Sequence, residues 1–145
     1  MIEKIFNKKC LLSIIIRAEY NENGVNFFTP DNSPLQIGHM KHPSGHVIKP
    51  HIHKEQKRET NQTQEVILIK KGKVRVDFYD DSKQYKTSRI LKEGDIIFLI
   101  EGGHGFELLE SVEMIEVKQG PYDSNLDKTR FDPINPDFVN FDNEF

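Results

Sequence analysis

Tryptophan is absent from this chain of 145 residues, and cysteine occurs once, at Cys10. A single cysteine excludes an intrachain disulfide, so no covalent staple can hold the fold. That usage fits a reducing, cytoplasmic setting. Long hydrophobic runs are missing as well. The stretch Leu11-Leu12-Ser13-Ile14-Ile15-Ile16 is too short to cross a membrane as a helix, and it lacks the apolar length and small-residue cleavage site of a signal peptide. A basic excess is also lacking. The net charge of −3, with 30% of residues charged, argues against a nucleic-acid partner, whose electrostatic footprint would be strongly basic. Helix signals are almost absent, and there is no repeat or low-complexity segment. The expectation is a cytoplasmic protein with neither a membrane nor a nucleic-acid partner.

What is present is a single domain's worth of chain, long enough to bury a core. That core must be economical, because 36% of residues are hydrophobic and the mean hydropathy is −0.61. Ten phenylalanines carry most of the aromatic mass. Short apolar or alternating runs recur between turn residues, which predicts an all-β fold. Strands are expected over 11–17, 24–29, 35–40, 65–69, 73–80, 84–91, 96–100, 104–109 and 112–118. In Lys73 to Asp80 the alternation turns Val74, Val76 and Phe78 inward and Arg75, Asp77 and Tyr79 outward. Lys70-Lys71-Gly72 is expected to be a hairpin turn between 65–69 and 73–80. Cys10, between two lysines and an apolar run, fits a half-buried strand residue better than a nucleophile.

Chemistry concentrates in the histidines. On a strand, residues i and i+2 share a face, so His51 and His53 are expected to point together while Ile52 faces away. Two such imidazoles, with a carboxylate and a third imidazole, can hold a divalent transition metal. Candidates for the other two donors are Glu65 and His104, the latter being the only histidine after residue 53.

The spacing around these residues carries a resemblance. Gly45 is followed by five residues and then His51-Ile52-His53, and Glu65 is followed by six residues and then Gly72. A second block runs from Gly94 through Asp95, Ile96 to Ile100, Glu101, Gly102 and Gly103 to His104. Both resemble the two motifs of the cupin superfamily, over roughly residues 34 to 118. Departures exist. Eleven residues, Lys54 to Gln64, separate His53 from Glu65, a wider gap than the family pattern has, so Glu55 and Glu59 compete for the carboxylate role. Glu65 is preferred because its spacing to Gly72 fits and because it opens a strand. Ile100 stands in place of the motif proline, Gly103 alone separates Gly102 from His104, and Leu108 replaces the motif asparagine. The resemblance implies a jelly-roll β-barrel over 1–120, with His51, His53, Glu65 and His104 on one ion. Such a donor set suits Fe, Mn, Ni, Co or Zn alike. It leaves coordination positions for substrate, water or O2.

Residues 65–80, Gly102 to Glu107 and Ile115 to Tyr122 look like a group of small bacterial cupins linked to surface-polysaccharide biosynthesis. His51-Ile52-His53-Lys54 is similar to the acid/base motif of nucleotide-sugar ketoisomerases. These likenesses imply a small, sugar-like substrate and an isomerase or epimerase. A metal-dependent oxygenase and a non-catalytic binding module are the other classes. A ligating histidine cannot readily carry a proton, so His46, in the loop before the motif, is the candidate proton carrier. Gln64 is expected to face away from Glu65, and Arg58 is expected to be a surface charge.

The tail, 121–145, holds six acids against two bases, three prolines, and phenylalanines at 131, 138, 141 and 145. Pro133 and Pro136 disfavour a helix. An extended C-terminal arm is expected, with Phe131 and Phe138 packing on the chain's own barrel or on a partner subunit. A homodimer is expected, with the apolar run 11–16 as a sheet edge to be covered.

Overall fold

The computed structural model describes residues 1–123 and 127–142; Phe145 lies outside them. The chain is all-β, built from antiparallel sheets. It divides into two units, one of Met1–Tyr20 with the chain from Gln62 onward, the other Asn21–Asn61. No helix among the described residues is long and apolar enough to cross a membrane.

Among the described residues the first unit holds eight strands: β1 (Ile2–Asn7), β2 (Cys10–Ile16), β5 (Glu65–Lys71), β6 (Lys73–Tyr79), β7 (Tyr85–Lys92), β8 (Ile96–Leu99), β9 (Gly103–Leu108) and β10 (Glu113–Lys118). They form a five-stranded sheet in the order β1-β2-β8-β5-β10 and a three-stranded sheet in the order β7-β6-β9. Among the described residues the hydrogen bonding does not run on into a closed barrel. One hydrophobic cluster joins the two sheets. Ile5, Ile15, Ile67, Ile69, Ile97 and Leu99 come from the first, and Val74, Val76, Phe78 and Leu91 from the second.

The second unit holds β3 (Gly24–Phe27) and β4 (Gly38–Lys41), which pair with each other. Residues 46–60 contain neither helix nor strand.

Three sequence expectations change. The Lys70-Lys71-Gly72 turn is not a hairpin. β5 pairs with β8 and β10, whereas β6 pairs with β7 and β9, so Gly72 turns a corner from one sheet into the other. It does so at φ 85°, a conformation glycine adopts without strain, and a Cβ there would collide with the Ser111 carbonyl oxygen.

The alternation in β6 does not separate core from solvent. Arg75, Asp77 and Tyr79 are all buried, because the C-terminal arm covers the outer face of β7-β6-β9. Asn140 O accepts from the Ser88 N–H at 2.7 Å and from Tyr85 Oη at 2.9 Å. Tyr79 Oη accepts from the Ile134 N–H at 2.9 Å. The buried charges are paired: Arg75 Nε donates to Asp77 Oδ1 at 2.7 Å, and Ser88 Oγ donates to the same oxygen at 2.5 Å.

The 11–16 run is no edge, since β2 lies between β1 and β8. It is buried on both faces, which is why it is apolar but for Ser13, whose hydroxyl donates to the Phe98 carbonyl at 2.9 Å. Ile15 faces the shared cluster, while Ile14, opposite Phe98, is fully buried outside it.

Candidate functional site

Glu65 opens β5 and His104 is the second residue of β9, so the two come from different sheets. Register fixes their directions. His104 pairs with Phe78 and Phe106 with Val76, which puts the imidazole on the core side of its sheet, beside the Phe106 ring at 5.7 Å. Glu65 Oε2 and His104 Nε2 stand 3.1 Å apart. The carboxylate is only 4% exposed.

An unpaired carboxylate in such a place would be costly, and this one is well supplied with partners. Lys128 Nζ donates to Glu65 Oε1 at 3.3 Å, and Lys118 Nζ, which also binds Asp127 Oδ2 at 2.8 Å, stands 3.8 Å from that oxygen. The His104 hydrogen bond is the strongest influence, and His104 and Lys128 together outweigh burial, holding the Glu65 carboxyl down to about 2. The site therefore keeps a buried anion ionised.

A cavity of about 380 Å³ opens beside His104. Gly102, Gly103 and Gly105 form its floor, with Tyr79 on one side and Lys128 to Phe131 and Pro133 of the arm on the other. The glycines leave the floor bare. A Cβ at Gly103 would press on the Phe131 ring at 3.1 Å, whereas one at Gly105 would meet only Tyr79 at 3.8 Å. Tyr79 and Phe131 stand edge to face, centroids 5.0 Å apart. Phe138, by contrast, is mostly exposed.

The first unit thus brings Glu65 and His104 together. His51 and His53 lie in the second unit, ring centroids 5.1 Å apart and near perpendicular. They are neighbours, but not through a strand, because residues 51–53 have an irregular backbone and His51 Nδ1 bonds to the Lys49 carbonyl at 3.0 Å. Ile52 is almost wholly exposed. His46 is exposed and stacks on His42 with centroids 4.1 Å apart. Glu55, Glu59 and Arg58 are exposed, Glu59 pairing with Lys57. Gln64 is buried and its Oε1 has no partner among the described residues. Among the described residues, within neither unit do three His, Cys, Asp or Glu side chains gather as a metal-holding group.

A carboxylate oxygen and an imidazole nitrogen are both donor types for a divalent transition metal, and in this structure the two are hydrogen-bonded to each other at 3.1 Å. Sequence reasoning missed Lys118, Lys128 and the arm's part in the cavity. A signal was present: Lys128 and Arg130 are the two bases of an otherwise acidic tail.

No protein-family model, curated protein or solved structure matches this chain.

Proposed function

We propose that this protein is a metal-binding cupin that acts on a small, sugar-like substrate as an isomerase or epimerase. The observation that carries the reading is a buried carboxylate, kept ionised, 3.1 Å from an imidazole at the mouth of a cavity. The two antiparallel sheets around one core support a jelly-roll assignment. Glu65 and His104 in the first unit, and separately His51 and His53 in the second, are the candidate ligands for a divalent ion, Fe, Mn, Ni, Co or Zn. When bound, such an ion would supply Lewis-acid polarisation of a carbonyl or hydroxyl oxygen.

The chain's own residues do the rest. Lys128 and Lys118 satisfy Glu65 Oε1, leaving Oε2 and His104 Nε2 as the paired donors, as outer partners orient ligands elsewhere. The glycine floor admits substrate to the imidazole. The proton carrier in this reading is a histidine outside the ligand set, His46 being the candidate in the second unit. A homodimer belongs to the same reading. Its edges are β1 and β10, and the exposed Ile115 and Val117 on β10 favour pairing there.

The test is solvent deuterium exchange into keto-sugar nucleotides with metal-loaded and metal-stripped protein. The reading expects exchange with the loaded form alone. Oxygen uptake with Fe(II) and no exchange would replace it with an oxygenase. Ligand binding with neither would leave a binding module.

A further inference from the structure

The cavity between β9 and the arm has features that the Glu65–His104 pair does not require. Its volume, about 380 Å³, lies within the range of about 300–1,000 Å³ usual for small-molecule sites. Its floor is backbone at Gly102, Gly103 and Gly105. Its wall is a pair of aromatic rings already locked in place. Tyr79 is fixed by the Ile134 N–H on its hydroxyl, and Phe131 is fixed against Tyr79. A bare floor beside a rigid aromatic wall suits a flat or apolar body, whose burial costs little ordering.

The charge at the rim points further. The arm is acidic in composition, yet Lys128 and Arg130 are the arm residues that bring charge to this cavity. Lys128 is partly neutralised by Glu65. Arg130 has no ion pair among the described residues, and Lys83 Nζ adds a third cation 5.8 Å from the Phe131 ring centroid. Among the described residues, no carboxylate lines the cavity. Arg130, a guanidinium lining a cavity that has an aromatic wall, matches an oxyanion in both charge and donor geometry.

We propose that this groove binds a small organic oxyanion, a carboxylate or phosphate carried on a flat or apolar body, with Arg130 as its principal recognition residue and Lys128 as its second. This names the charge class of the substrate in the function proposed above, and it rests on that reading only for the claim that the bound molecule is turned over.

The test is calorimetric titration of chelator-treated protein with benzoate, phenyl phosphate and the neutral benzyl alcohol. At least one anion should bind about tenfold or more tightly than the alcohol, as charge-assisted bonds dictate, and the preferred anion identifies carboxylate or phosphate as the natural group. Arg130→Ala should weaken the preference for the anion several-fold, Lys128 remaining, without weakening the alcohol, and Arg130→Lys should restore part of it. Phe131→Ala should weaken all three ligands. Thermal melts of each variant establish that it is folded. Equal binding of alcohol and anions, no binding of any, or an unchanged preference in folded Arg130→Ala overturns the proposal. The same titration in His51→Ala/His53→Ala protein separates the two claims. Retained anion binding there, with no deuterium exchange in the wild type, refutes the isomerase and leaves the oxyanion site standing.

Discussion

Glu65 of β5 and His104 of β9 meet at 3.1 Å across the two sheets of the first unit. The contact ties the two sheets together at a buried carboxylate, and it makes the protein's stability sensitive to acid.

The Glu65 carboxyl is held at about 2 against an ordinary 4.5, chiefly by the His104 hydrogen bond. A depressed folded-state value contributes stability that is complete above the unfolded value and is lost as pH falls through the folded one. Melting temperature should therefore drop between about pH 4.5 and pH 2, and Glu65→Gln should flatten that slope. Carbon-13 NMR of metal-free protein checks the cause directly: the Glu65 carboxyl should titrate well below 4.5.

Asp95 is a fully buried carboxylate with three donors. It accepts from Arg17 Nη1 at 2.8 Å, from the Ala18 N–H at 2.9 Å and from the Lys92 N–H at 3.1 Å. Asp95→Ala leaves the two amides unsatisfied, while Arg17 keeps Glu3 Oε1 at 2.6 Å and the Ile90 carbonyl at 2.7 Å, and it should cost about 1–3 kcal/mol for each unsatisfied amide in urea unfolding.

Tyr85 ties the arm to β7. Its hydroxyl donates to Asn140 O at 2.9 Å and accepts from the Asn140 N–H at 2.8 Å. Tyr85→Phe should cost about 1–2 kcal/mol and should speed hydrogen exchange at Asn140 more than at Val76 in the core.

Gly72→Ala forces a Cβ against the Ser111 carbonyl at φ 85°. The loss should exceed about 1 kcal/mol, read as a lowered urea midpoint.

How legible this was in the sequence depended on range. Runs such as Ile96–Leu99 and Glu65–Lys71 announce themselves through local pattern, and strands were expected close to where they lie. β1 was not, because Ile2 and Ile5 break the period-two rule, the strand carrying a bulge between Ile5 and Phe6. Gly72 shows a second limit: turn chemistry is the same for a hairpin and for a corner between sheets, and only distant partners decide. The outward face of β6 shows a third, since what buries Arg75 and Asp77 is an arm some sixty positions further on. At the site, Glu65 and His104 could be paired from motif spacing. Lys118 and Lys128 could not, because no motif contains them and only the fold brings them to Glu65.

The central claim is that the first unit binds a divalent ion through Glu65 and His104. Metal content of protein purified without chelator or affinity metal, measured by inductively coupled plasma mass spectrometry, tests it most directly. The account predicts about one transition-metal ion per chain, with most of it lost in His104→Ala and in Glu65→Ala, since removing a donor opens the sphere to water. Full metal retention in both variants, or no metal in the wild type even after reconstitution with each candidate ion, would contradict it.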